Sequence, residues 1–68
     1  MTNKQKQCLL AYLGFYDGEV NGIWDERSKA ATLRFQEAYG LDPDENCQDE
    51  TQKALLYAVT YGMGSVPV

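Results

Sequence analysis

Oxygen-bearing side chains alternate along residues 17–22, whose sequence is Asp-Gly-Glu-Val-Asn-Gly. This spacing resembles the first six positions of a helix–loop–helix calcium site, in which a glycine at the sixth position allows a sharp turn. The twelfth position of such a site supplies a bidentate carboxylate, but Ser28 stands there. Residues 42–46 repeat the alternation without the glycine and without the closing carboxylate. We therefore predict no metal site.

Catalytic groups are also scarce. The chain contains no histidine, which excludes histidine-based triads and Cys-His pairs. Ten acidic residues are present, and a glycosidase needs only two carboxyl groups that flank its substrate. Nothing in the sequence buries or opposes two of them, however, and so small a domain offers little cleft. We predict no catalytic residue, no cofactor and no enzymatic activity for this domain alone.

Aromatic side chains are the other residues with binding chemistry. Their rings stack on the apolar faces of sugars while their polar ends form hydrogen bonds. Tyr16 adjoins two predicted turns and is expected at the surface, whereas Trp24 is equally compatible with the core and with the surface. Further rings are present at Tyr12, Tyr39, Tyr57 and Tyr61. This composition favours recognition of a polymer.

The net charge of −4, with only six basic residues, restricts the partners. Nucleic acids and anionic lipids both attract basic surfaces, so we predict neither as a partner. A chain of 68 residues, 44% hydrophobic and 24% charged, is typical of one folded domain, which we expect to be monomeric.

The beginning of the chain shows no export signal. Residues 2–7 are polar, and the apolar run 8–13 is too short for a secretory signal. We therefore expect synthesis in the cytoplasm. There, Cys8 and Cys47 are expected to be two buried, reduced thiols, and a disulfide is the less favoured alternative.

Three predicted helices position these side chains. Helix 1 is expected from residue 3 or 4 to residue 13, and Gly14 caps it. The glycines in the dipeptides 17–18 and 21–22 make two turns, and Val20 and Ile23 are expected to pin this loop onto the core.

Helix 2 is expected over residues 26–39, between Asp25 as N-cap and Gly40 as C-cap. Helix 3 is expected from residue 47 or 48 to residue 61, which ends the domain, and residues 62–68 are expected to form a tail or linker. The predicted inner faces consist of Ala31, Phe35, Ala38 and Tyr39 on helix 2, and of Thr51, Ala54, Leu55, Ala58 and Val59 on helix 3.

A weak internal repeat relates the last two helices. Ser28-x-x-Ala31 corresponds to Thr51-x-x-Ala54 at an offset of 23 residues. The sequence therefore predicts an all-α fold, a small three-helix bundle with a pinned loop between helices 1 and 2 and a weak loop–helix repeat.

Residues 13–41 resemble the helical peptidoglycan-binding domain, a module that bacterial and phage cell-wall hydrolases typically carry. The matching pattern is Leu-Gly-Phe-Tyr-x-Gly-x-Val-Asn-Gly-Ile-Trp-x-x-x-Ser-x-x-Ala-x-x-x-Phe-Gln, followed by Tyr-Gly-Leu. The resemblance extends from Gln7, which matches a glutamine of the family, to about Leu56. The loop between helices 2 and 3, the second loop, departs from the pattern, because Glu45 stands where the family has glycine.

This resemblance implies non-catalytic binding to the glycan strand or stem peptide of peptidoglycan, with a hydrolase domain attached beyond residue 68. A leading methionine without an export signal suits a phage or prophage endolysin, which acts at the bacterial cell wall. Side chains of the first loop and of helix 2 are expected to bind the polymer, with Arg34 suited to a peptide carboxylate. The expected ligand-binding residues are Tyr16, Asp17, Asn21, Trp24, Arg34 and Tyr39.

The alternative is a calcium-dependent protein-interaction module. The dockerin family is also a small, duplicated loop–helix unit, and it uses calcium loops of the kind that residues 17–28 resemble. Dependence of folding on calcium would distinguish this alternative from a cell-wall-binding domain.

Overall fold

Three helices make up the part of the chain that the structure, a computed structural model, describes, which is residues 1–61. They are α1 (Asn3–Tyr12), α2 (Glu26–Tyr39) and α3 (Asp49–Tyr61), and no strand occurs within this range. α1 packs against both α2 and α3. The predicted all-α three-helix fold is therefore confirmed. The predicted tail, residues 62–68, lies outside the described residues.

Local capping groups fix the ends of the helices. The Asp25 carboxylate accepts the backbone N–H of Ser28 at 3.0 Å, so α2 begins where predicted. This hydrogen bond is the main reason that the pKa of Asp25 lies below its ordinary value, and a hydrogen bond from the Ser28 hydroxyl is the second. Gly40, with φ of +72°, ends α2, and Gly14, with φ of +91°, follows the end of α1. α3 begins at Asp49, one or two residues later than predicted.

The apolar core is centred on Phe35, which is fully buried. Its ring and that of Phe15 meet edge to face with a centroid distance of 5.6 Å, and the ring centroid of Tyr39, on the same helix, lies 4.4 Å away. Ala38 was predicted on this face but is exposed, because the buried face of α2 is rotated towards the polar residues of the helix. The other buried apolar side chains of the described part of the chain are Leu10, Tyr16, Ala31, Cys47, Leu55 and Ala58.

The fully buried side chain of Gln7, on α1, holds the first loop. Its Oε1 accepts the backbone N–H groups of Asn21 at 3.0 Å and Gly22 at 2.8 Å. Its Nε2 donates to the carbonyl of Ile23 at 2.7 Å and to the hydroxyl of Ser28 at 2.8 Å. Every hydrogen-bonding position of the amide is therefore filled. One side chain of α1 thus fixes both the turn of the loop and the start of α2.

Gln36, on α2, holds the second loop in the same way. Its Oε1 accepts the N–H of Asp44 at 2.9 Å, and its Nε2 donates to the carbonyl of the same residue, also at 2.9 Å. The Nε2 also donates to the hydroxyl of Thr51, at 2.8 Å, in the first turn of α3. The predicted correspondence between Ser28 and Thr51 therefore has a physical cause. Each hydroxyl accepts a hydrogen bond from the amide of a buried glutamine on the preceding helix.

The two loops nevertheless differ in backbone conformation. Gly22 has φ of +85° in the first loop, where only glycine is unstrained. In the second loop Glu45 stands in the register of Gly22, but the positive φ falls two residues later, at the buried Cys47 with φ of +55°. The second loop, in which Glu45 stands in the register of Gly22, therefore has a different backbone geometry from the first.

The pinning of the first loop depends on its backbone more than on its apolar side chains. Val20 is half-buried against the core, as predicted. Ile23 is 64% exposed, so the prediction that its side chain anchors the loop is wrong. Its carbonyl, held by Gln7, is the anchor instead.

The two cysteines occupy different environments. Both are free thiols, but Cys8 is exposed and only Cys47 is buried. The prediction that both are buried is wrong for Cys8, because the buried side of α1 passes through Gln7 and Leu10 and Cys8 lies outside it. Burial raises the pKa of the Cys47 thiol to about 11, with Lys6 lowering and Asp44 raising it to smaller extents.

Replacement of Gln7 by alanine should destabilise the domain by about 3 kcal/mol or more. The change leaves the backbone N–H groups of Asn21 and Gly22 without this acceptor and removes one hydrogen bond from the Ile23 carbonyl, which keeps the one from the N–H of Asp25. Each buried group left unpaired costs about 1–3 kcal/mol. Urea unfolding followed by circular dichroism measures this loss. Gln48→Ala is the matched control, since Gln48 is exposed, and equal stability of the two variants would contradict the assigned role.

The thiols should differ in their reaction with iodoacetamide. We expect rapid alkylation of Cys8 and slow alkylation of Cys47 in the native protein at pH 8, because the nucleophile is the thiolate and the raised pKa suppresses it at Cys47. Peptide mapping by mass spectrometry, with a urea-denatured sample as control, measures both rates. Equal native rates would show that Cys47 is not buried.

Candidate functional site

The first loop directs its tyrosine inward. The backbone N–H groups of Phe15 and Tyr16 both donate to the carbonyl of Leu10, which folds the chain back over the end of α1. Tyr16 is only 5% exposed, and its hydroxyl donates to the carbonyl of Glu19 at 2.7 Å. Its ring leaves no room for a Cβ atom at Gly18. The prediction that Tyr16 presents its ring at the surface is therefore wrong.

Two other predicted residues of this loop, Asp17 and Asn21, are exposed. The Oδ1 of Asn21 accepts the backbone N–H of Ile23 at 2.9 Å, which closes a local turn. The amide of Asn21 is thus partly committed to the loop, whereas the carboxylate of Asp17 faces solvent.

Trp24 is half-buried and connects the two loops. Its indole N–H donates to the carbonyl of Glu45 at 2.8 Å. The ammonium of Lys6 lies 5.3 Å from the centre of the indole ring, within the range of a cation–π interaction, and donates to the carbonyl of Asn46 at 3.4 Å. Lys29 adds an ion pair with Glu45 at 3.8 Å. Trp24 therefore has a structural role between the loops, with part of its surface open.

The two predicted residues on α2 do not extend the loop surface. Arg34 is exposed, but Tyr39 packs against Phe35, and its buried hydroxyl oxygen has no hydrogen-bond partner among residues 1–61. Burial raises the pKa of this phenol above its ordinary value. Tyr39 also lies at the far end of α2 from Trp24, which precedes the helix, and a rise of about 1.5 Å per residue puts Tyr39 roughly 20 Å from Glu26 along the axis. The six predicted residues therefore do not form one surface.

The calcium-like spacing of residues 17–28 is used for internal hydrogen bonds. The Asp25 carboxylate at the ninth position caps α2, and the Ser28 hydroxyl at the twelfth position bonds to that carboxylate at 2.9 Å and to Gln7. Within residues 1–61, no group of three or more cysteine or acidic side chains is placed to hold a metal ion.

Addition of 1 mM calcium should leave the melting temperature unchanged, because the loop is already held by hydrogen bonds and a ligand stabilises only a fold that binds it. Differential scanning calorimetry with calcium and with a chelator measures this, and magnesium serves as the control cation. A rise of several degrees that is specific to calcium would restore the dockerin-like alternative.

The most exposed rings lie elsewhere, on α3 and at the end of α1. Tyr57 and Tyr61 are 64% and 69% exposed, and their ring centroids are 4.6 Å apart at an interplanar angle of 42°. Tyr12 is 71% exposed. These three tyrosines are among the aromatic residues noted in the sequence but not among the expected ligand-binding residues. The helical period places Tyr57 and Tyr61 off the buried Thr51–Leu55 face of α3, which is the signal in the sequence that predicts their exposure.

A groove of about 570 Å³ lies between α1 and α3. α1 contributes Gln5, Cys8 and Leu9 to its walls, and the opposite wall is formed by Asp49, Gln52, Lys53 and Leu56 of α3. A second depression, of about 620 Å³, lies beside the second loop, and its lining includes the acidic residues Asp42, Asp44, Asp49 and Glu50. The α1–α3 groove thus combines apolar and amide groups, whereas the second depression is predominantly negative.

Comparison with known proteins identifies a family whose profile covers both loops and all or part of the helices that flank them. The sequence profile of the peptidoglycan binding domain family matches residues 4–55, a range that includes both glutamine-held loops. An N-acetylmuramoyl-L-alanine amidase of Mycobacterium tuberculosis, CwlM, is 34% identical over 61 residues, which cover 90% of this chain but only 15% of the amidase. No solved structure matches the chain significantly. No helix within residues 1–61 is long and apolar enough to cross a membrane. With more than half of its residues matched by the family profile, the chain belongs to the peptidoglycan binding domain family.

Proposed function

We propose that this domain binds peptidoglycan without cleaving it and thereby holds an attached cell-wall hydrolase at its substrate. The observation that carries the proposal is the family match over residues 4–55, which spans α1, both loops, α2 and the first half of α3. The polymer would be met at the bacterial cell wall.

The environments of the acidic residues support a binding role without catalysis. A glycosidase needs one carboxylic acid that stays protonated near neutral pH, which burial in apolar surroundings provides. Nine of the ten acidic side chains are exposed, and the tenth, Asp44, is half-buried. The carboxylate of Asp44 accepts the backbone N–H groups of Asn46 and Gln48, so it is used in the second loop. No carboxyl group therefore has the environment of a general acid.

The size of the matched unit supports attachment to a hydrolase. The aligned segment is 15% of the length of the relative, which is named as an amidase. A binding unit joined to a catalytic domain raises the effective concentration of that domain near the polymer. A phage or prophage endolysin is the kind of hydrolase we propose.

The charge of the domain suggests which forces contribute to binding. With a net charge of −4, the domain is not attracted electrostatically to a polymer that carries stem-peptide carboxylates. Stacking and hydrogen bonds to sugar and amide groups remain, and salt screens these less than it screens ion pairs.

The chain should co-sediment with purified sacculi and should release neither reducing sugar nor peptide from them. We expect the bound fraction to change little between 50 and 500 mM NaCl, conditions between which the Debye length falls by about threefold. Cellulose is the control polymer, since it is insoluble but lacks N-acetyl and peptide groups. Equal recovery with cellulose would contradict specificity, and release of soluble fragments would contradict the non-catalytic role.

A further inference from the structure

Resting on the proposed function, we propose that the exposed ring pair Tyr57–Tyr61 on α3, together with the adjoining α1–α3 groove, is the surface that takes the glycan strand of peptidoglycan. The proposal thus assigns sugar recognition to two helices and not to the first loop. It is supported by the exposure of the rings, their position beside the groove and the size and charge of the surface.

The ring pair has the properties of a stacking platform. Both side chains are about two-thirds exposed, and their tilted contact at 4.6 Å holds each ring beside the other. Neighbouring rings on one helix face restrict each other's rotamers, which reduces the entropy that a ligand must overcome. Each phenol offers an apolar face to the C–H groups of a sugar and a hydroxyl to its polar groups.

The ring pair borders the groove along α3, although neither ring lines it. Lys53, which lines the groove, lies one helical turn before Tyr57, and Tyr61 lies one turn after it. Leu56, 52% exposed, forms the apolar part of the same wall. A strand that stacks on Tyr57 would therefore reach the Lys53 edge of a groove whose volume, about 570 Å³, is in the usual range for small-molecule sites. Hydrogen-bonding groups for hydroxyl and N-acetyl substituents come there from Lys53, from the Nε2 of Gln5 and from the Oε1 of Gln52. The other atoms of these amides are used in the fold, because the Gln5 Oε1 accepts the N–H of Thr2 and the Gln52 Nε2 donates to the carbonyl of Cys47.

A sugar strand fits this surface better than the other possible occupants. The two rings offer on the order of 300 Å² of surface, whereas a stable dimer buries about 800 Å² from each partner. The net charge of −4 opposes contact with an anionic membrane. A sugar ring needs only one aromatic ring to stack on, so a pair of rings suits two successive sugars of a polymer.

The test measures binding of the full chain to sacculi and to soluble muropeptides, with stem peptide that lacks sugar as the comparison ligand. We expect Tyr57→Ala and Tyr61→Ala each to weaken binding to sacculi by about tenfold, and the double variant to lose more. Tyr12→Ala is the matched control, because Tyr12 is an equally exposed ring at the end of α1. We expect it to bind as the wild type does. All four variants should keep the wild-type melting temperature, since these rings lie outside the core.

Wild-type binding by the double variant would overturn the proposal and leave the proposed function intact. Absence of sacculus binding by the wild type would overturn the proposed function, and with it this assignment. Tyr57→Phe and Tyr61→Phe should retain most of the binding, and losses equal to those of the alanine variants would contradict a stacking role. A dimeric wild type that the double variant converts to a monomer, with unchanged sacculus binding, would assign the rings to self-association instead.

Discussion

The structure depends above all on the amide of one buried glutamine. Gln7 fills all of its hydrogen-bonding positions with the backbone of the first loop and with the hydroxyl of Ser28, and so joins α1, the loop and α2. The loop segment has no regular secondary structure, so its inward N–H and C=O groups need side-chain partners. Gln36 does the same for the second loop. Since a chain of 68 residues can bury only a small apolar core, these polar anchors supply much of the order of its loops.

The two loop–helix units share this anchor but reach it through different backbones. The first loop meets its glutamine through Gly22, whose positive φ costs little. The second loop is shorter and has Glu45 in that register, and its positive φ falls on Cys47, where a residue with a Cβ costs about 1–2 kcal/mol. Cys47 is fully buried in the core, which holds it in this conformation. Its counterpart in the repeat, Trp24, bonds to the second loop through its indole. The weak sequence repeat therefore reflects a shared anchor and not a shared loop conformation.

The sequence predicted those features that neighbouring residues determine by themselves. Asp25 and Gly40 bound α2 because capping is local, and Phe35 is buried because the 3.6-residue period places it on the inner face. Tyr16 and Ile23 were assigned to the wrong sides because the direction of a loop side chain depends on contacts far away in sequence. Gln7 holds the Ile23 carbonyl across 16 residues, and this bond has no local signal beyond the match of one glutamine to the family.

The same polar anchors limit where a ligand can bind. The amide of Asn21, the carboxylate of Asp25 and the indole N–H of Trp24 all take part in hydrogen bonds that shape the loops. A ligand that competed for them would have to break bonds on which the fold depends. Within residues 1–61, the side chains of Tyr57 and Tyr61 take no part in the bonds that shape the loops, and the core contacts of α3 are made by Leu55 and Ala58 on its other side. Exposed rings on a helix whose opposite face is fixed in the core can contact a polymer without disturbing the bonds that shape the loops, and this favours the proposed site on α3 over one on the loops.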